Sequence, residues 1–145
     1  MKEQKQRYWR REIIILLAII VILAAAGNPA YRDYIEKAKM AEITARYHEA
    51  ILETKATMRR GATQRSLDLI DTTPLNVTEW IGFLSSKAEN VDASDVIFAR
   101  NADASLGVIG VQVIGTGLSM QVTISLPKYA ELKAISETIN AMDAL

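Results

Sequence analysis

Residues 12–34 read EIIILLAIIVILAAAGNPAYRDY. One acidic residue, Glu12, is followed by fourteen apolar residues at positions 13–26, then by Gly27, Asn28, Pro29 and a polar exit flanked by Tyr31 and Tyr34. A helix with one wet face shows polar residues every third or fourth position. This stretch has none across almost four turns, so it is apolar all round, and its natural surroundings are lipid or other apolar helices. Residues 13–31 span about 28 Å as a helix, close to the hydrocarbon thickness of a bilayer. Pro29 removes a backbone donor near the far end and predicts a kink or a loosened turn there.

Working outward, residues 1–12 carry five basic side chains against two acidic ones, a net of +3, while the rest of the 145-residue chain is at −3. A basic flank before an apolar span predicts a cytoplasmic N-terminus with the bulk of the chain on the other side. Tyr8 and Trp9, beside the arginines, suit the headgroup region. The rival reading is a secretory signal peptide ending at Ala24, Ala25 and Ala26, but the helical pattern continues through that point. The chain has no cysteine, which excludes disulfides, thiolate chemistry and cysteine zinc sites. No basic tract interleaves with aromatics, so a nucleic-acid partner is not predicted.

Beyond the span the pattern turns amphipathic. Met40, Ile43, Tyr47, Ile51, Thr54 and Met58 recur at intervals of three and four, opposite Glu36, Lys37, Glu42, Arg46, Glu49 and Glu53. With nothing to break it, the two patterns read as one helix over residues 11–60, with Gly61 as the stop. Residues 61–95 form a connection holding one short helix: Val77, Trp80, Ile81 and Leu84 share a face, Asn76 is its N-cap and Trp80 a core anchor. Strands follow in an antiparallel arrangement. Residues 96–99 are a short apolar run and residues 106–114 are apolar on both faces. Gly115, Thr116 and Gly117 make a hairpin connection, and residues 118–126 alternate apolar and polar. Pro127 ends that strand, and Tyr129, Leu132, Ile135, Ile139 and Met142 predict a final amphipathic helix.

The fold class is therefore α+β, a long N-terminal membrane-embedded helix packed on a small antiparallel sheet with a C-terminal helix. Its segments are 1–11, a basic cytoplasmic leader-like tail; 12–31, the transmembrane half of the helix; 32–60, its amphipathic half; 61–95, the connection; and 96–145, the sheet and final helix.

Catalysis has little to work with, so the reading is not an enzyme, and no cofactor or metal is expected. The single histidine, His48, lies on the polar side of a helix, where a solvated ring is the ordinary outcome. Asp92, Asp95 and Asp103 fall in one loop region without EF-hand spacing and read as a solvated acidic loop rather than a calcium site. Gly107 and Gly110 read as a bulge or a close packing contact. Glu12 stands at the edge of the span with two open readings: a functional charge, or a headgroup-level carboxylate paired with Arg10 or Arg11.

Glu12, the aliphatic run, Ala24 to Ala26, and the hexapeptide Pro29, Ala30, Tyr31, Arg32, Asp33, Tyr34 together resemble the N-terminal helix of type IV pilins. The match covers roughly residues 8–40, with the glutamate-to-proline spacing and both tyrosines in place. A fainter likeness continues at residues 79–81, 109–111 and 126–129. The resemblance implies a structural subunit of a type IV pilus or pilus-like filament, possessing the pilin order of long helix, loop and strands. It implies residence in a bacterial inner membrane, with the C-terminal domain periplasmic, and an extracellular filament on assembly. The implied partners are other copies of the chain in a helical homopolymer, the pilus or secretion assembly machinery, and membrane lipid. Glu12, Pro29, Tyr31 and Tyr34 are the implied assembly residues, with Glu12 neutralising the mature N-terminal amine of a neighbour.

The processing junction implied by the alignment is between Arg7 and Tyr8. Prepilin peptidase cuts after glycine, and the chain has arginine there; Trp9, Arg10 and Arg11 also replace small or apolar residues. This departure sets out the alternative: an unprocessed, membrane-anchored pilin-like accessory protein, or a type II secretion pseudopilin.

Overall fold

The computed structural model describes residues 2–88 and 94–144, with side chains from Glu12 onward apart from those of Ala26 and Ala144. The layout is α+β: a long N-terminal helix, α1 (Lys2–Ser66), a short helix α2 (Val77–Lys87), and four strands. The strands are β1 (Phe98–Ala99), β2 (Ile109–Ile114), β3 (Gln121–Leu126) and β4 (Ile135–Asn140). Two compact units result, Met1–Lys39 and Met40–Leu145.

In the first unit, every described side chain over residues 12–39 is exposed. The second unit holds the core. From α1 it receives Ile43, Tyr47, Ile51, Thr54 and Met58 of the stripe expected from the three-and-four spacing, with Ala50 and Ala62 added, while Met40 of that stripe is half-buried. Trp80 and Leu84 of α2, Phe98, Ile109, Val111, Val122, Ile124 and Ile139 pack into the same cluster. Trp80 is fully buried and meets Phe83 edge-to-face at 5.9 Å, so it is the anchor of its connection. Asn76 caps α2 by accepting a hydrogen bond from the Glu79 amide at 3.0 Å, and Glu79 reaches back to the Leu75 amide.

Several expectations are corrected. Gly61 does not stop α1; the helix runs through it to Ser66, because loop residues Asp71 and Thr73 cover the glycine and need its missing side chain. The true end is a Schellman motif. Asp68 sits in the left-handed region (φ 55°), its amide donates to the Arg65 carbonyl, and the Leu69 amide donates to that of Gln64. α1 also begins at Lys2 rather than at residue 11.

The sheet is mixed, not wholly antiparallel. β1 pairs with β2 in parallel, β2 with β3 and β3 with β4 antiparallel, giving the order β1-β2-β3-β4. β2 starts at Ile109, since Gly107 (φ 71°) turns the chain and Asp103 bridges to Val108. The β2–β3 connection runs over residues 115–120 through a short 3-10 turn, and β3 starts at Gln121. β3 keeps the expected alternation, with Val122, Ile124 and Leu126 buried.

The expected C-terminal helix is a strand followed by a 3-10 turn, Ala141–Ala144. Ile135, Ile139 and Met142 fit a helical face, but Ile135, Thr138 and Ile139 are β-branched and favour a pleated backbone. The open edge of β3 supplies a full ladder from Gln121↔Asn140 to Leu126↔Ile135, and the Thr123 and Thr138 hydroxyls bond across it at 2.9 Å.

Candidate functional site

The residues singled out for assembly all lie on α1 in the first unit. Glu12 opens the apolar run. Behind it ten large aliphatic side chains, residues 13–17 and 19–23, are each 46–66 % exposed. The helix continues through Pro29, which lacks the amide that would bond the Ala25 carbonyl. Tyr31 and Tyr34 stand one turn apart, 65 % and 71 % exposed, with Ile35 beside them.

At 100° and 1.5 Å per residue, Glu12 and Tyr34 are separated by about 33 Å but share nearly one face, while Pro29 and Tyr31 fall to its two sides. The four residues therefore make an extended surface, not a converging site. The helix is long and apolar enough to cross a membrane. The Arg7–Tyr8 junction lies on helical backbone, and its side chains, like those of Arg10 and Arg11, fall outside the described ones.

In the second unit, no group of three or more His, Asp or Glu side chains among the described residues is placed to hold a metal ion. His48 is exposed, its ring edge-on to Tyr47 at 5.5 Å. Asp92 lies outside the described residues. The carboxylate of Asp103 is used within its own turn, accepting from the Ser105 hydroxyl and amide and from the Leu106 amide, which holds it below the usual carboxylate range. Gly110 is a packing contact, since a side chain there would meet the Ala102 backbone. Burial, helped by the nearby Glu137 carboxylate, pushes the Tyr47 phenol up.

Two polar links give no periodic signal in the sequence. Lys55 of α1 donates to Glu137 of β4 at 2.7 Å, and Arg65 pairs with Asp71 across the end of α1. Comparison with protein-family models, with curated proteins and with solved structures found no match to this chain.

Proposed function

We propose that the protein is a structural subunit of a pilus-like filament, assembling through the apolar half of α1. The observation that carries this reading is the run of exposed aliphatic side chains bounded by Glu12 and by Pro29, Tyr31 and Tyr34. Covering ten such side chains at about 1.5 kcal/mol each removes some 15 kcal/mol of unfavourable hydration, as much as a whole domain's net stability. The segment is thus a surface that must be covered, first by lipid and then by like helices. Lipid tails and helix faces are equally apolar, so exchange between them is governed by packing and by polar partners. Glu12 supplies the polar partner. A carboxylate buried among helices needs a cation, either a neighbour's amine at Tyr8 after cleavage, or Arg10 or Arg11 without it. Pro29 loosens the helix where the subunit must change surroundings.

Arg7 favours a second reading, in which the chain stays uncleaved as a membrane-anchored pilin-like accessory protein; a type II secretion pseudopilin lies between the two readings. The deciding experiment is the intact mass of the protein in membrane and sheared-filament fractions, with and without Glu12→Ala. Filament-borne chains lacking residues 1–7, lost in Glu12→Ala while membrane insertion persists, support the subunit reading. A full-length chain confined to the membrane sinks it in favour of the second.

A further inference from the structure

β4 forms one edge of the sheet, and its outer side carries an unmatched set of backbone groups. Their direction follows from the ladder. The Ala141 amide donates to the Met120 carbonyl at 2.9 Å, and residues of an antiparallel strand point alternately to either side. Ile135, Glu137 and Ile139 therefore bond β3, while the amides of Ser136, Thr138 and Asn140 and the carbonyls of Ser136 and Thr138 point outward. No described residue makes a hydrogen bond to these groups, and Ser136 and Thr138 are exposed. Proteins commonly blunt such an edge with proline, lysine or a charge set against pairing. β4 has no proline, and its one charged side chain, Glu137, is drawn back onto Lys55 of α1.

A groove runs along this edge between β4 and α1, lined by Lys55, Arg59, Glu137, Thr138, Asn140 and Asp143 among others. Its charges are not equally satisfied. Lys55 is paired with Glu137, and the Asp143 carboxylate accepts from the Asn140 side chain at 2.7 Å. Arg59 and Asp143 are both exposed and neither has an ion pair among the described residues, but the Arg59 guanidinium also lacks the side-chain hydrogen bond that Asp143 receives from Asn140.

We propose that the outer edge of β4 is a docking strand for an extended, acidic polypeptide segment of a partner protein. The segment adds a fifth strand through the amides of Ser136, Thr138 and Asn140, and places a carboxylate against the Arg59 guanidinium. This surface is separate from the apolar half of α1 and serves recruitment rather than polymerisation.

The test titrates the full chain in detergent micelles with a capped peptide, Thr-Val-Thr-Glu-Thr-Val-Thr, following amide hydrogen exchange at Ser136, Thr138 and Asn140. At about 1 mM peptide, exchange at these three amides slows, whereas a peptide N-methylated at alternate residues has no effect. Replacing the peptide's glutamate by lysine weakens binding roughly tenfold, and Arg59→Glu reverses that preference. Thr138→Pro abolishes binding while the β3-facing amides of β4 stay protected, since the only backbone donor it removes points outward; Thr138→Val, which loses the hydroxyl bond to Thr123 but keeps that donor, still binds. Unchanged exchange with the glutamate peptide, or equal binding of the N-methylated one, overturns the proposal. So does equal binding of the lysine peptide. Edge amides protected in the free chain and released on dilution overturn it in favour of a second copy as the occupant.

Discussion

Gly61 of α1 lies so close beneath Thr73 of the following loop that a methyl group on the glycine would overlap the threonine hydroxyl, with the Asp71 carboxylate also in contact. A glycine inside a helix costs about 1 kcal/mol relative to alanine, so the sequence gives up helix propensity for a close seat. Gly61→Ala is expected to destabilise the folded unit by about 1 kcal/mol, the 1–3 kcal/mol overlap outweighing the propensity gain. Thr73→Ala removes the nearer obstacle and leaves the Asp71 carboxylate at 2.8 Å, so in that background the cost of Gly61→Ala shrinks. Urea unfolding of the two single variants and the double variant measures the coupling directly.

The end of α1 gives the opposite sign. Asp68 holds φ at 55°, a conformation glycine adopts freely, and places a carboxylate at the negative end of the helix dipole. Asp68→Gly is expected to stabilise by about 0.5–1 kcal/mol. A fall in urea midpoint, with the unfolding slope unchanged, would show that the aspartate side chain holds the turn.

The loop so fixed is acid-sensitive through Asp71. Burial pushes this carboxyl up, but hydrogen bonds from Thr73 and the ion pair with Arg65 together outweigh it and hold it below the ordinary value of 3.8. A depressed folded pKa means that the unfolded chain takes up the proton first as pH falls. The stabilisation is therefore complete above about pH 5 and is lost as pH drops below 3.8 through the folded value. For a partly exposed pair this amounts to about 1 kcal/mol. Asp71→Asn is expected to lower the melting temperature at pH 6 and to flatten its change between pH 5 and 3.

How far the sequence discloses this molecule depends on what each signal measures. The apolar run, the Ile43–Met58 stripe, the Asn76 cap and the Val122–Leu126 alternation were legible because a single element's periodicity encodes which face is covered. The last strand was not. Ile135, Ile139 and Met142 satisfy a helical period by spacing, and only the unpaired edge of β3 decides for β. Gly61 read as a stop because its tertiary cover, Thr73, is twelve residues away, and the short parallel β1–β2 pairing leaves no local trace. Of the candidate assembly surface, the residues and their order were legible. Their exposure along α1 is described by the structure.

The apolar half of α1 can be tested apart from any filament. If residues 13–23 lie in lipid, an arginine near their middle must either reach the interface or carry its charge in hydrocarbon. At a helix centre this costs about 2.5–3.5 kcal/mol on insertion scales, enough to shift an insertion equilibrium by roughly a hundredfold. Ile19→Arg, at the middle of the run, is therefore expected to move much of the protein from the carbonate-resistant membrane pellet to the soluble or aggregated fraction. Ile13→Arg, beside Glu12 at the edge, should leave the pellet fraction nearly unchanged, because its side chain reaches the headgroups. The comparison separates two kinds of cover. A run shielded by protein alone would be damaged by arginine wherever the covering surface lies, whereas lipid gives a cost that depends on depth. Equal loss at residues 13 and 19, with the second unit still folded by near-ultraviolet circular dichroism, would rule out a bilayer around this segment.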